Sequence, residues 1–252
     1  MNFKFIFIGH RGTRINFDEN TISAFKIALE YGADIIEFDI RKTIDNKLII
    51  IHDSSLNRTT NGAGQIKNLS YSEIEAFCTK FKNEKVPLFT DILDKFKSKT
   101  HFMIDLKGED TRTEIIKLIL KKEVKKESII FSGRLLKDLK VIKDRHPEFK
   151  TCYNITKGKD LSLDSFLEFE NLSKFYFKPD MISLRAKLIT PKFIELCHQN
   201  KILALAWDFI NYENPIAKIN DLINMRIDGI LFDNYKNIPV IKEFLKKAKN
   251  PS

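Results

Sequence analysis

The chain has 252 residues, of which 43% are hydrophobic, so it can bury a substantial core, and we expect one α/β domain spanning residues 1–252. Its formal charge of +9 comes from 43 basic and 34 acidic residues. The basic residues are mostly lysines scattered along helical segments, without the aromatic interleaving of a nucleic-acid-binding surface. These features argue against a nucleic-acid partner and predict a lysine-rich surface that can attract anionic substrates or lipid headgroups.

The cysteine and hydropathy patterns exclude several other classes. Cys78, Cys152 and Cys197 are far apart and odd in number, which argues against a disulfide framework or a zinc site and favours small buried side chains. No run approaches the roughly 18 apolar residues of a membrane span. The apolar opening at residues 3–8 is too short for a signal peptide and lacks a small-residue cleavage pattern. We expect a cytoplasmic protein.

The first predicted strand covers residues 3–8 and ends in Gly9-His10-Arg11-Gly12. A buried strand that runs into a glycine-flanked His-Arg pair predicts a turn where the backbone approaches a ligand closely. A helix follows, with Asn20 or Thr21 as its predicted N-cap and Gly32 just after its end.

The next stretch predicts a β-hairpin that gathers charged side chains. Glu37 and Asp39 stand two positions apart in a β-branched run, so they project from the same face of a strand. An Asp-Asn turn signal follows, and pairing of Ile44 with Lys47 would place Asp39 opposite His52. Opposite residues have Cβ atoms about 4.5–5.5 Å apart. The hairpin therefore predicts a cation site with an acid/base group beside it.

Residues 54–100 are predicted to form a small insertion at one end of the fold, because a polar loop with an Asn-Gly turn is followed by two short helical patterns. Strand-like and helical runs then alternate to the end of the chain. With the first strand and the outgoing arm of the hairpin, the strands number eight, which predicts a (β/α)8 TIM barrel with a hairpin after its second strand.

Active sites of such barrels lie at the C-terminal ends of the strands. Chemically capable residues occur at or near those ends in this sequence: His10, Arg11, Glu37, Asp39, Asp105, Lys107, Ser132, Tyr153, Arg185, Trp207 and Asp233.

The ordered set of motifs resembles the glycerophosphodiester phosphodiesterases along nearly the whole chain. The motifs are Gly9-His10-Arg11-Gly12, Glu19-Asn20-Thr21, Glu37-Phe38-Asp39, His52-Asp53, Arg58-Thr59-Thr60-Asn61-Gly62, Asp105-Leu106-Lys107, Trp207 and Asp228-Gly229-Ile230. Each motif alone has low specificity, whereas the ordered set is highly specific.

The resemblance implies hydrolysis of glycerophosphodiesters to an alcohol and sn-glycerol 3-phosphate with the help of one divalent cation, Mg²⁺ or Ca²⁺. The positions that match the family's cation ligands are Glu37, Asp39 and Asp105. An all-oxygen protein set suits such hard ions and disfavours zinc.

The resemblance also implies roles for four further residues. His10 and His52 match the general acid and base, a role that histidine can fill near neutral pH. Arg11 and Lys107 match cationic positions near the phosphate. The sequence does not decide which histidine begins as the base.

The expected substrate pocket departs from the family pattern. Trp207 is predicted to form a pocket wall, Ser132 to end the fourth barrel strand beside it, and Tyr153 and Asp233 to contact a glycerol hydroxyl. The usual Ser-Phe is Ser132-Gly133 in this sequence, and the residues after Trp207 also differ. Asp105 replaces the usual Glu and is one methylene shorter, which predicts a cation closer to that strand or a bridging water.

Three alternatives to this function stay open. A lysophospholipase D-like enzyme would need an apolar groove at the barrel mouth, for which Phe77 and Phe81 are candidates. A catalytically silent binding module is disfavoured because both histidines and all three carboxylates are present. A basic nucleic-acid binder is disfavoured by the absence of aromatic-basic interleaving.

Overall fold

The computed structural model describes residues 5–107, 111–168 and 177–249, in which eight parallel strands close into a barrel. The strands are β1 (Ile6–Gly9), β2 (Ile35–Lys42), the short β3 (Leu48–Ile50), β4 (His101–Leu106), β5 (Ile129–Gly133), β6 (Lys150–Asn154), β7 (Met181–Arg185), β8 (Leu203–Trp207) and β9 (Gly229–Phe232). Strand β1 pairs with both β2 and β9, which closes the ring and confirms the (β/α)8 prediction. Residues 3 and 4 of the predicted first strand lie outside the described residues.

Helices follow the barrel strands and cover them from outside. They are α1 (Ile22–Glu30), α2 (Tyr71–Glu75), α3 (Phe89–Phe96), α4 (Arg112–Lys121), α5 (Leu136–Arg145), α6 (Leu163–Glu168), α7 (Pro191–Gln199), α8 (Pro215–Asn224) and α9 (Asn237–Lys249). In α3, the buried residues Phe89, Ile92, Leu93 and Phe96 recur at helical spacing and form one apolar face. Across the described residues, none of the helices combines the length and the apolar character needed to cross a bilayer.

The barrel interior has an apolar floor below a mainly polar layer. One apolar side chain from each barrel strand fills the floor: Ile8, Ile35, Met103, Ile130, Cys152, Met181, Leu205 and Leu231. Because strand side chains alternate between faces, the residue two positions further along each strand also points inward. Those residues are His10, Glu37, Asp105, Ser132, Asn154, Ser183, Trp207 and Asp233. The period of two thus places the polar layer at the C-terminal ends of the strands.

The hairpin between β2 and β3 differs by one residue from its predicted register. The Thr43 N–H donates to the Lys47 carbonyl at 3.0 Å, and the Lys47 N–H donates to the Thr43 hydroxyl at 2.9 Å. Asn46 takes a left-handed conformation with φ of 60°, which closes a loop of three residues rather than two. Thr43, and not Ile44, therefore faces Lys47.

The shifted register changes the neighbour of Asp39. The Ile51 N–H donates to the Asp39 carbonyl at 3.0 Å, so the prediction that His52 lies opposite Asp39 was wrong. His52 instead follows the end of the hairpin, where its carbonyl accepts a 2.8 Å hydrogen bond from the Arg41 guanidinium.

Part of the predicted insertion forms a satellite core of its own, and part belongs to the barrel. This satellite core consists of the buried side chains Ile49, Ile51, Leu56, Ile66, Ile74 and Val86, the first two of which come from the hairpin. Helix α3 lies within residues 54–100 but packs into the main core. The assignment of one domain with an insertion at 54–100 stays a prediction.

Candidate active site

A cavity of about 30 Å³ lies at the C-terminal ends of the barrel strands. Its volume is close to the share of one water molecule in the liquid. Nine of the eleven residues predicted at the site line it: His10, Arg11, Glu37, Asp39, His52, Asp105, Lys107, Ser132 and Trp207. Closure of the barrel therefore gathers residues that are far apart in the sequence.

Tyr153 and Asp233 do not line the cavity, and the prediction of Tyr153 as a pocket residue was wrong. Cys152 and Asn154 face the barrel interior, so alternation turns Tyr153 outward into the layer between strands and helices. Its hydroxyl is fully engaged there, donating to Asp160 at 3.0 Å and accepting the Leu161 N–H at 3.1 Å. The strand contributes the amide of Asn154 to the cavity instead.

Three carboxylates converge beside the histidines. One oxygen from each of Glu37, Asp39 and Asp105 lies within 4.8 Å of the others, and all three side chains are buried. Strands β2 and β4 pair with Asp39 opposite Asp105, which sets this approach. The shorter Asp105 thus reaches the same point as its neighbours.

One oxygen of Glu37 and one oxygen of Asp39 accept hydrogen bonds, from a backbone N–H and a side-chain amide respectively. Arg11 has a left-handed φ of 52°, and its N–H donates to Glu37 Oε2 at 2.8 Å. The Asn20 amide donates to Asp39 Oδ2 at 2.8 Å and accepts the Asp39 N–H at 3.3 Å. The opposite oxygens are thereby left to face the cavity.

The charges of the cluster are strongly coupled. Burial and the nearby charges of Asp39 and Asp105 raise the pKa of Glu37 to about 7. Burial also acts to raise the pKa of Asp39, but Lys107 and Arg11 hold it well below its usual range. Lys107 Nζ lies 3.1 Å from Asp39 Oδ1 and forms an ion pair with Asp105. One lysine thus balances only part of the negative charge.

The carboxylates have the character of a site for a hard cation. Asp105 Oδ1 is buried without a hydrogen-bond partner among the described residues, and the buried Asp39 Oδ1 has only the ion pair with Lys107 Nζ. Buried polar atoms in that condition are costly unless a donor or an ion satisfies them. Three convergent carboxylate oxygens fit Mg²⁺ or Ca²⁺, which take oxygen ligands at about 2.0–2.6 Å.

Each of the two histidines is held by its own carboxylate. His10 Nδ1 lies 2.8 Å from Asp233 Oδ1, and His52 Nδ1 lies 2.6 Å from Asp53 Oδ1. An ionised carboxylate only accepts, so the proton of each neutral imidazole sits on Nδ1 and leaves Nε2 for proton transfer. Burial lowers the pKa of His52, with Arg11 and Lys107 acting in the same direction, which favours its neutral form.

Hydrogen bonds and ion pairs connect the two histidines through one chain of side chains. From His52 and Asp53 the chain continues through Arg58, which donates to Asp53 Oδ2 at 2.7 Å and to Glu19 Oε1 at 2.6 Å. Arg14 then bridges Glu19 Oε2 and Asp233 Oδ1, each at 3.3 Å. The chain therefore runs in the order His52, Asp53, Arg58, Glu19, Arg14, Asp233 and His10. Arg11 lies outside this order and also donates to Glu19, at 2.8 Å.

The charge of Glu19 is stabilised at the centre of this chain. Burial would raise the pKa of Glu19, but the hydrogen bond from Arg58 and the charge of Arg11 lower it to about 2. Burial likewise opposes ionisation of Asp233, and the contact with His10 lowers its pKa to about 2. Both carboxylates therefore stay ionised near neutral pH and keep their partners in place.

Sequence reasoning missed the positioning roles in this network. The motifs around Glu19, Asp53 and Arg58 were recognised without a function for those residues. Asn20 was one of two candidates for a helix cap, but the cap is Thr21, whose hydroxyl accepts the Ala24 N–H at 3.3 Å. Asp233 was expected at a glycerol hydroxyl and instead contacts His10. Only its place two residues beyond the floor residue of β9 could have indicated an inward direction.

Trp207 forms one wall of the cavity, with cations over its ring. The Arg185 guanidinium lies 5.0 Å and Lys157 Nζ 5.6 Å from the ring centroid. Arg185 also pairs with Asp208 at 2.8 Å, which fixes it at this wall. The predicted wall is therefore aromatic with a cationic rim.

Two histidines beside three convergent carboxylates, at the C-terminal end of a (β/α)8 barrel, are the arrangement expected of an enzyme. Residues 10–237 match the model of the Glycerophosphoryl diester phosphodiesterase family, and the chain belongs to this family. A glycerophosphodiester phosphodiesterase from Caldanaerobacter subterraneus subsp. tengcongensis is 30% identical, with 92% of this chain and 95% of that protein covered. Lysophospholipase D GDPD1 from Mus musculus is 26% identical, with 76% of this chain and 66% of that protein covered.

A solved structure gives the same fold. The Oleispira antarctica phosphodiesterase, in complex with the product sn-glycerol-3-phosphate, superposes with a TM-score of 0.75 at 18% identity. The superposition covers 94% of this chain and 96% of the Oleispira antarctica chain. At this identity the likeness supports the barrel fold alone.

Proposed function

We propose that this enzyme hydrolyses glycerophosphodiesters to an alcohol and sn-glycerol 3-phosphate, with His10 and His52 as its general acid and base. The observation that carries the proposal is the pair of histidines, each with Nδ1 on a carboxylate, lining one cavity with three convergent carboxylates. Membership of the family and the product bound in the Oleispira antarctica neighbour support the choice of substrate.

Glu37, Asp39 and Asp105 would hold one divalent cation, Mg²⁺ or Ca²⁺. When bound, this ion supplies a Lewis acid that stabilises negative charge on the phosphoryl oxygens. Arg11 and Lys107 line the same cavity and contribute positive charge toward the phosphate.

The two histidines account for the proton transfers. One Nε2 removes the proton of the substrate's 2-hydroxyl, whose oxygen attacks the phosphorus. The other histidine begins as the imidazolium and gives its Nε2 proton to the departing alcohol oxygen. A cyclic glycerol phosphate results, and water opens it with the two roles exchanged. A tethered nucleophile carries an effective molarity of up to about 10⁵–10⁸ M, which favours this route over direct attack by water.

A substrate panel tests the activity and its cation dependence. Glycerophosphocholine, glycerophosphoglycerol and lysophosphatidylcholine are each assayed with EDTA, with Mg²⁺ and with Ca²⁺. We expect cation-dependent release of glycerol 3-phosphate from the first two. Hydrolysis that EDTA leaves unchanged would contradict the cation role.

Histidine variants and a modified substrate test the mechanism. His10→Ala and His52→Ala are each expected to lower kcat by about 10²–10⁴, as loss of a general acid or base does. A diester without the 2-hydroxyl should be cleaved far more slowly than glycerophosphoglycerol. Similar rates for the two diesters would replace the cyclic route by attack of water.

A lysophospholipase D-like activity is the second candidate, favoured by the similarity to the mouse enzyme. Its predicted apolar groove is not formed by the expected residues, because neither Phe77 nor Phe81 lines the cavity at the site. Phe77 packs over Gly62 in the satellite core, and Phe81 is 62% exposed with Lys82 Nζ 4.9 Å from its ring centroid. Preferential hydrolysis of lysophosphatidylcholine in the panel would select this candidate. Contact with lipid headgroups and a cytoplasmic location stay predictions.

A further inference from the structure

A second, larger cavity adjoins the cavity that His10 and His52 line, which is called the catalytic cavity from here on. It has a volume of about 610 Å³, whereas the catalytic cavity holds about 30 Å³. The two cavities share His52, Lys107, Arg134 and Lys157 in their walls, and His10 lines only the smaller one. A small-molecule site typically has a volume of about 300–1,000 Å³. Much of a bound diester must therefore lie in the larger cavity, which begins where His52 and Lys107 face the phosphate.

The walls of the larger cavity are strongly cationic. Its described lining residues include six cations and two carboxylates: Arg41, Lys107, Arg112, Arg134, Lys157 and Lys159 against Asp53 and Asp138. Both carboxylates are already engaged, Asp53 by His52 and Arg58, and Asp138 by Arg112 at 2.9 Å. The excess of positive charge is therefore not neutralised within the wall.

Four of the six cations form no ion pair with a carboxylate among the described residues. Arg41 donates to the His52 carbonyl, which leaves Arg134, Lys157 and Lys159 without such an acceptor, although Lys157 lies over the Trp207 ring. Burial and the neighbouring charges of Arg134 and Lys107 lower the pKa of Lys157. Like charges gathered in one cavity are unfavourable by themselves, and an anion bound between them would relieve the repulsion.

Every glycerophosphodiester shares an uncharged glycerol half and the phosphate that is cleaved, which the proposed function assigns to Arg11, Lys107 and the cation site. Of the unpaired cations, Lys159 lines only the larger cavity, and Arg134 and Lys157 line the boundary that the two cavities share. Only the departing alcohol varies in charge. We propose that the larger cavity binds the departing alcohol and selects alcohols that carry a phosphate group, with Arg134, Lys157 and Lys159 as its anion-binding residues.

This inference rests on the proposed function and predicts an order of substrates. Three diesters share the glycerol phosphate half and release glycerol 3-phosphate, glycerol or choline as the second product. We expect kcat/KM to be at least about tenfold higher for the phosphorylated alcohol than for glycerol, with choline lowest. The preference should weaken as salt rises from about 0.05 to 0.5 M, because ions screen partly exposed charges.

Charge-neutral variants test the residues. Lys159→Gln and Arg134→Gln should each lower the ratio of kcat/KM for the phosphorylated over the glycerol-releasing diester by about tenfold, since a hydrogen bond between charged groups is lost. The matched control is Lys121→Gln, which removes the same charge from an exposed position at the end of α4. It should leave the ratio within about twofold of wild type.

The outcomes separate this inference from the function on which it rests. Equal kcat/KM for the phosphorylated and glycerol-releasing diesters, or a ratio that Lys159→Gln and Arg134→Gln leave unchanged, overturns the selectivity while the diesterase activity stands. Absence of hydrolysis of all three diesters with Mg²⁺ or Ca²⁺ overturns the proposed function and this inference with it.

Discussion

Replacing Asp233 by asparagine removes the negative charge behind His10 while keeping the shape of the side chain. Asp233 Oδ1 contacts His10 Nδ1 at 2.8 Å and accepts from Arg14 at 3.3 Å, and Oδ2 accepts the buried Phe209 N–H at 2.8 Å. A buried N–H without an acceptor is costly, so the asparagine oxygen should stay on Phe209. The amide NH₂ would then face His10.

The expected consequence is the wrong tautomer of His10. An NH₂ group donates, so Nδ1 would have to accept and the proton would move to Nε2, the atom that transfers the proton in the proposed mechanism. We expect kcat to fall by about 10²–10⁴, which corresponds to roughly 3–5 kcal/mol of transition-state stabilisation. KM should change by less than about threefold, because Asp233 does not line the catalytic cavity.

Steady-state kinetics against pH, together with thermal unfolding, measure both effects. A matched control is Asp228→Asn: Asp228 Oδ2 lies 2.9 Å from His198 Nε2 and accepts the Ala204 N–H at 2.7 Å, outside the catalytic cavity. The control should lower Tm and keep kcat. A folded Asp233→Asn enzyme with kcat within about threefold of wild type would refute the reasoning, as would an equal loss in the control.

Three further predictions concern stability, the cation site and packing. The pKa of Glu19 in the folded protein, about 2, lies below its ordinary value of 4.5. Its ionised form therefore contributes roughly 3 kcal/mol to the free energy of unfolding above about pH 5, and this contribution is lost as pH falls toward 2. Urea unfolding should therefore show a stability gap between wild type and Glu19→Gln that narrows over that window, and a constant gap would contradict it. Asn20→Ala should weaken cation activation by about 10–100-fold, whereas its neighbour Thr21→Ala should cost about 1 kcal/mol of stability and leave activation unchanged. Titration of activity with Mg²⁺ separates the two, and equal activation curves would remove Asn20 from the site. Cys152 is buried, which raises its pKa to about 12, so native thiol labelling should modify the partly exposed Cys78 and spare Cys152.

Much of the fold and site could be predicted because the relevant patterns are local. The alternation of strands and helices indicated the barrel, and the barrel determines that strand ends meet at one face. His10, Glu37 and Asp105 could therefore be placed together without coordinates. Side chains alternate between the two faces of a strand, so the direction of Tyr153 could also be predicted, because it must face opposite to Cys152 and Asn154. That prediction failed because position at a strand end was considered without the phase of the strand.

Other features depend on contacts that no local pattern encodes. Asp233 reaches His10 across 223 positions of the sequence, and only closure of β1 against β9 brings them together. The hairpin register was decided by one residue in a left-handed turn conformation, because a single added loop residue shifts every pairing that follows. The cationic wall of the larger cavity likewise draws its charges from segments at or after the ends of different strands. Sequence sets the chemistry of each side chain, whereas the distances and burial that give it a partner and a pKa arise only when the barrel closes.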